Sequence, residues 1–490
     1  MAIVAGVDSS TQSCTVELRD EDSGALLGTG RAPHPPTTPP VSEQPVAVWW
    51  DALRLALGAA VADADVEVAA IGALSGGAHC HGLVMLDGKN APLRAVKLWN
   101  DTTSAPQSAA LIEALGVPAW VEAVGSDPSA AFTIAKLAWV ADHEPQLLRS
   151  VRRVMVPHDY LTFRLTGRAV TDRSDASGTG YYSAREGRWR TDLLARFVDA
   201  DIAWDTVLPE VLGPDEAAGR ICGEAAAELG LSPGVVVGAG GGDQHLAAAG
   251  LGMREGEVTF SLGTSGVVFT PSADPVLDPA GDIDGVCNVT GGYLPLVCTL
   301  NCTKVTDTMG RWLGVDHGEL ADLALRAGEA SAPAVFAAFL DGERSPNRPT
   351  ASGTITGLTN ATTREDLARS AFEGVLLGLV RGHERIQACG AAGDGTVIMT
   401  GGGARSQAYR QLLADLLARP VEVREAPEAT ARGAAVQAAA VLGGTTVAAT
   451  RDAWTPPVVT RTEPRARTTS ARERYAVVAA WAGADSLPRG

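Results

Sequence analysis

Lysine is almost missing from this chain: Lys89, Lys97, Lys136 and Lys304 are all there are among 490 residues. No G-x-x-x-x-G-K-[ST] run occurs, which excludes a phosphate grip built on a P-loop lysine. Basic surface is scarce as well. Lys and Arg together number 40 against 57 Asp and Glu, a net charge of -17, which argues against nonspecific binding to nucleic acid or to an anionic membrane surface. An anionic ligand such as ATP must then be held locally, by backbone N–H groups and a metal ion. Long apolar runs are absent too, and the Ala-rich segments are short and broken by glycine, so no membrane span is expected. Met1 to Asp8 has no basic lead-in and reads as a strand rather than a signal peptide. The seven cysteines are odd in number and scattered, which fits the reduced thiols of a cytoplasm. Cys298 and Cys302 have a spacing that fits one helix face, but no histidine cluster joins them, so they read as buried small hydrophobes rather than zinc ligands.

What the chain does have is length, glycine and strand–turn–strand units. At 490 residues, 46% of them hydrophobic and 20% charged, it is expected to form two α/β domains, residues 1–252 and 253–490. Ile3 to Asp8 reads as a strand, followed by the polar turn Ser9-Ser10-Thr11-Gln12-Ser13 and a return strand from Cys14 to Leu18. The same pattern recurs at 258–269, where Val258 to Leu262 breaks at Gly263-Thr264-Ser265-Gly266 and resumes. Such a repeat predicts a duplicated domain, each copy opening with a hairpin. Helices are expected over Trp49–Asp63, Ala130–Val140, Gln146–Val151, Asn301–Leu313, Glu319–Glu329, Thr363–Cys389 and Ala471–Ala482. A strand is expected over Val68–Leu74, and Asp172 to Gly180 is expected as a polar loop.

Three glycine-rich turns carry the candidate chemistry. Behind the apolar run Val235–Val237, the segment Gly240-Gly241-Gly242-Asp243-Gln244 lets backbone approach a ligand closely and delivers one carboxylate, Asp243, ahead of a helix expected to start near Gln244. The Gly263–Gly266 turn offers peptide N–H groups and two hydroxyls, those of Thr264 and Ser265, as a phosphate cradle. Strand Val397–Thr400 runs directly into Gly401-Gly402-Gly403 and then a helix with Ser406 near its start, where bare backbone suits a purine or ribose. A base beside a phosphate-binding turn is what a phosphotransferase needs, and Asp8 at a strand end is placed to hold Mg²⁺ directly or through water. Trp99-Asn100-Asp101 combines a flat apolar face with amide and carboxylate groups, the mixture that sugar sites use. Taken singly, a glycine turn is as readily a plain connection between strands as a ligand cradle; it is the combination that points to a kinase.

These motifs, with Cys80-His81-Gly82, Pro157-His158-Asp159-Tyr160-Leu161 and Gly342-Glu343-Arg344-Ser345-Pro346, resemble the FGGY family of carbohydrate kinases over nearly the whole chain. Within that family they resemble the xylulokinase branch. The resemblance implies two actin-like (ribonuclease H-like) domains with a central cleft, and phosphorylation of D-xylulose at O5 with ATP and Mg²⁺. It implies Asp243 as catalytic base, with Cys80, His81, Trp99, Asn100, Asp101 and Gln244 on the sugar side. ATP is expected at Ser10, Thr11 and Gln12, at Gly263, Thr264 and Ser265, and at Gly402, Gly403 and Ser406. Asp8 and Asp243 would hold the metal. The expected partners are thus a small sugar and ATP, with no nucleic acid and no membrane, and a homodimer is left open. Three places depart from the branch: Cys80 preceded by His79, Thr102-Thr103 after Trp-Asn-Asp where an Arg is usual, and Ser-Ser-Thr-Gln in the first turn. Kinases of ribulose, L-xylulose, glycerol or gluconate are the neighbouring expectations, and a non-enzymatic actin-like ATP switch the distant one. No residues remain for the separate binding domain that a chaperone of that kind needs.

Overall fold

The computed structural model describes residues 2–327, 334–465 and 469–481. They form two compact units. Unit 1 comprises 1–253, 273–294 and 426–456, and unit 2 comprises 254–272, 295–425 and 457–490. The expected division at 252/253 lies beside the first crossing. Segments 273–294 and 426–456, which that division assigns to the C-terminal half, cluster instead with unit 1.

Unit 1 is built on a seven-stranded sheet. Its order is Ala217–Arg220, Val236–Gly238, Ile71–Ala78, Ile3–Ser9, Ser13–Asp20 and Leu26–Pro33, with the short strand Gly241–Gly242 also paired to Ile71–Ala78. The first three strands of the chain run antiparallel, as the turn residues between them require, and the strand Ile71–Ala78 joins parallel to Ile3–Ser9. Helix Ala47–Ala64 buries Trp49, Leu53, Ala56, Leu57 and Ala60 in a core that includes Val16 and Leu18. A second helix, Ala429–Gly443, lies on the other side, where its alanines pack with Val4 and Ala73. It crosses helix Asp243–Gly250 at Gly433 and Gly250. A side-chain carbon at either position would collide with the partner helix backbone, so the approach depends on glycine.

Unit 2 repeats this plan. Its six strands run Leu296–Thr299, Gly266–Phe269, Val258–Leu262, Val397–Thr400, Val421–Arg424 and Val458–Thr462. Each sheet therefore has three antiparallel strands from a consecutive meander, then two parallel strands, then an antiparallel edge strand. The hairpin repeat seen in the sequence is thus a repeat of whole-sheet topology.

Several local expectations are corrected. Val68–Ala70 is a 3₁₀ turn, closed by the Ala70 N–H on the Glu67 carbonyl, and the strand starts only at Ile71. Cys298 lies in a strand opposite Val267, and Cys302 just precedes the helix Thr303–Leu313, so the two share no helix face. The 172–180 loop is a buried helical turn, Arg173–Ser177, because the Asp172 carboxylate caps the N–H groups of Ser174 and Asp175. The helix expected from 146 to 151 is a single turn, Pro145–Leu148. The helix expected from Glu319 starts at His317 and is described to Arg326; residues 328 and 329 lie outside the described residues. The last helix runs Thr469–Trp481, and Ala482 lies outside them. Among the described residues no single helix is long and apolar enough to cross a membrane.

Candidate active site

In unit 1 three strand ends meet at one sheet edge. Asp8 pairs with Gly77, and Gly241 and Gly242 pair with Gly77 and Ala78 in parallel register. Asp8, the 79–81 turn and Asp243 therefore leave the carboxyl ends of neighbouring parallel strands, the edge at which α/β sheets bind ligands. Asp243 is the first residue of helix Asp243–Gly250, where the peptide dipoles favour a carboxylate. Its Oδ1 accepts the Gln244 N–H at 2.7 Å and the Cys80 thiol at 3.6 Å. Burial raises the Asp243 carboxyl above its ordinary range, with these two donors working against it. Burial also raises Asp8, helped by the charges of Asp243 and Glu428 and opposed by Arg31. The Oδ1 of Asp8 is buried without a hydrogen-bond partner.

The turn carrying Asp243 is held from behind. Gln437 accepts the Gly240 N–H at 2.8 Å, returns its amide N–H to the Gly240 carbonyl at 3.1 Å, and also binds the Ser75 hydroxyl. Ser174 Oγ accepts the Gly242 N–H, and Thr430 Oγ1 donates to the Asp243 carbonyl. Below lies a fully buried ionic cluster. His158 Nε2 stands 3.2 Å from Asp159, 3.3 Å from Asp172 and 3.6 Å from Asp175. Burial opposes a charged ring, but the three carboxylates outweigh it and push His158 up to about 9. Burial, the main influence, pushes Asp175 up to about 8 despite His158 beside it. None of these supports can be read from local sequence. Gln437 leaves one trace, as a lone amide inside an alanine run, and His158 and Asp159 appear only within a motif whose role the sequence does not reveal.

The expected sugar-side residues gather near that edge. His81 has a left-handed backbone, φ 67°. Its ring stacks on Phe132 with centroids 4.8 Å apart, and its Nδ1 lies 2.6 Å from the Gly178 carbonyl. Trp99, 37% exposed, donates its indole N–H to Thr11 Oγ1 at 2.8 Å and so ties the 99–101 loop to the first turn. Asn100 has a buried Oδ1 without a partner. Asp101 is completely buried and accepts from Ser42 N, Lys97 Nζ and both the N–H and hydroxyl of Thr103, so it braces the loop from within. In the first turn the carbonyls of Ser10, Thr11 and Gln12 accept from His34 Nδ1, Gln44 Nε2 and the His34 N–H. Because a trans peptide sets C=O and N–H on opposite sides, the N–H groups of Thr11 and Gln12 face away from those donors.

In unit 2 the parallel strands Val258–Leu262 and Val397–Thr400 place Ser261 opposite Thr400, so the 263–265 and 401–403 turns leave one sheet edge side by side. The Gly263 carbonyl accepts both the N–H and the hydroxyl of Thr303, and its N–H closes the turn on the Ser265 carbonyl. Thr264 is exposed. Gly401 has φ 82°, and a Cβ there would stand 2.6 Å from the Leu262 carbonyl. Gly402 borders open space, and the Ser406 hydroxyl is buried without a partner.

Two family models cover most of the chain. One, described as the FGGY family of carbohydrate kinases, N-terminal domain, matches residues 3–250, and the corresponding C-terminal domain matches 258–442. The chain belongs to the FGGY family of carbohydrate kinases. FGGY proteins have two actin-like domains, and the twin sheet topology described above is that plan. Among its relatives is a xylulose kinase of Streptomyces coelicolor, 41% identical over 454 residues, 92% of this chain and 90% of that one. A crystal structure of xylulose kinase from Bifidobacterium adolescentis superposes with a TM-score of 0.88 at 38% identity, covering 97% of this chain and 99% of that one. The fold extends further, to a gluconate kinase from Lactobacillus acidophilus at TM-score 0.88 and 21% identity, 98% and 96% of the two chains. As an FGGY member the protein is a sugar kinase that uses ATP.

Proposed function

We propose that this kinase phosphorylates D-xylulose at O5, giving D-xylulose 5-phosphate, with Asp243 as general base. The observation that carries the mechanism is the Asp243 carboxylate. It sits at a helix N-terminus on the carboxyl edge of the sheet, both of its donors approach Oδ1, and burial raises its basicity. Its Oδ2 is the oxygen assigned to accept the proton of the attacking hydroxyl. The relatives named xylulose kinase support the choice of sugar. The site must take the open-chain ketose, because a ring form ties up O5. Hydroxyls along that chain would pair with His81, Asn100 and Gln244 beside Cys80, with Trp99 packing on the C–H face and Asp101 holding the loop that presents them. The orphaned Oδ1 of Asn100 supports this reading, since a buried acceptor without a donor is costly unless a ligand supplies one.

On unit 2, ATP would lie against Gly263, Thr264, Ser265, Gly402, Gly403 and the unpartnered hydroxyl of Ser406; on unit 1, Ser10, Thr11 and Gln12 are the groups proposed for phosphate, through their outward N–H groups. Mg²⁺ fits the residues present. Of the two hard carboxylates, burial and then the Asp243 charge raise the cost of ionising Asp8, and Asp8 Oδ1 is buried without a hydrogen-bond partner. Among the described residues no group of three or more His, Cys, Asp or Glu exists to cage a metal, as suits an ion that takes its remaining ligands from phosphate and water. When bound, the ion neutralises phosphate charge that develops during transfer. The test is a panel of D-xylulose, L-xylulose, D-ribulose, L-ribulose, D-fructose, glycerol and gluconate followed by coupled ADP release. D-xylulose is expected to give the highest kcat/KM; a different sugar at the top would overturn the substrate while leaving the family intact.

A further inference from the structure

Lys136 is fully buried, yet among the described residues its hydrogen bonds go to main-chain carbonyls and not to a carboxylate. Its Nζ donates to the main-chain carbonyl of His81 at 3.0 Å and to that of Ala131. Thr133 Oγ1 donates to the same His81 carbonyl at 3.2 Å. Burying an amine costs several kcal/mol unless its surroundings compensate; here two main-chain carbonyls compensate it, one of them on the peptide that Thr133 also holds. That peptide belongs to His81, whose backbone is left-handed, a conformation that a residue with a side chain holds only when its surroundings impose it. Phe132, next to Thr133, stacks under the imidazole, and the Gly178 carbonyl fixes Nδ1. A carbonyl only accepts, so Nδ1 carries the proton, and in the neutral ring Nε2 is an acceptor. The first turn of helix Thr133–His143 thus holds both ends of His81, its carbonyl through Lys136 and Thr133 and its ring through the preceding Phe132.

We infer that Lys136 is a positioning residue for sugar selection, holding the His81 turn in the one orientation that presents its imidazole acceptor to a hydroxyl of the sugar. The inference rests on the proposed role of His81 and extends it to a residue that touches no substrate. It does not depend on the charge of the amine. Burial, the largest influence, lowers Lys136 to about 7, with Asp101 and Asp175 pulling it up and Lys97 pushing it down; both the ammonium and the free amine donate N–H. A substitution that removes the donor should release the turn and loosen the fit to the sugar, while unit 2, which holds the Gly263 and Gly402 turns, is untouched.

Steady-state kinetics of Lys136→Met, which keeps the stem and removes the donor, test this with ATP and the sugar that the unaltered enzyme prefers. KM for the sugar should rise about 10- to 100-fold, as expected for a displaced binding group, while kcat stays within about threefold and KM for ATP within about twofold. Nitrogen-15 NMR of the His81 imidazole should show a changed ring signature. Thr133→Val should move sugar KM in the same direction by less, and Thr133→Ser, which keeps the hydroxyl, should restore it; this pair decides the matter if Lys136→Met does not fold. Sugar KM unchanged in both folded variants, or sugar and ATP KM rising together, would overturn the inference. Failure of the proposed substrate shows separately, in the unaltered enzyme on the sugar panel.

Discussion

Thr264 illustrates how the account works for single side chains. It is exposed at the tip of a turn that Gly263 ties down twice, its carbonyl to Thr303 and its N–H to the Ser265 carbonyl. These bonds hold the backbone of the turn, and the exposed Thr264 hydroxyl is the group proposed to meet phosphate. Thr264→Ala should weaken phosphate handling by about 1 to 3 kcal/mol, the worth of a hydrogen bond to a charged oxygen. That corresponds to roughly 5- to 150-fold in kcat/KM for ATP. Thermal stability should be unaltered. A loss of stability with unchanged ATP kinetics would show that the hydroxyl serves the turn instead. Cys80 and Asp101 show the opposite case, groups in the sugar-side sequence motifs that face inward, one onto the Asp243 carboxylate and the other onto the loop it braces.

At the scale of elements, what could be read ahead was whatever local chemistry dictates. The hairpins at 3–18 and 258–269, the strand leading into Gly401–Gly403 and the helix expected near Gln244, which starts at Asp243, all follow from apolar runs broken by glycine or hydroxyl residues, and all are present. The misreadings share one physical cause, that tertiary surroundings outvote local pattern. Asp172 turns a polar stretch into a buried helical turn by capping it. Pairing with Val267 turns the Cys298 segment into a strand. The supports of the site were illegible for a related reason. Gln437 lies 197 residues from the Gly240 peptide it clamps, and Lys136 lies 55 from the His81 carbonyl; neither makes any local pattern. The recognisable motifs name most of the groups proposed to meet ligands, and these two distant supports lie outside them.

For the whole molecule the buried histidines contribute to the response to pH in two opposite senses. Burial, the main cause in each, lowers His79 to about 3 and His245 and His383 to about 4, from an ordinary value of 6.5. The unfolded chain then takes up protons that the folded one refuses, so stability falls as pH drops from about 6.5 toward 4. His158 runs the other way. Raised to about 9 by three carboxylates that outweigh its burial, it contributes stability that is complete below 6.5 and lost as pH rises through 9. His158→Gln should therefore lower the melting temperature near pH 7 while flattening the alkaline decline. A variant that melts like the original at pH 7 and declines just as steeply toward pH 10 would contradict the charged His158.

The central claim, that Asp243 takes the proton from the sugar hydroxyl as the phosphoryl group transfers, is tested most directly by rapid-quench turnover of Asp243→Asn with ATP, Mg²⁺ and D-xylulose. The asparagine keeps the shape and the helix N-terminal position but cannot accept the proton. The chemical step should slow by about two to four powers of ten, with ATP affinity within about twofold of the original and any product still carrying phosphate on C5. A single-turnover rate within threefold of the original would contradict the claim.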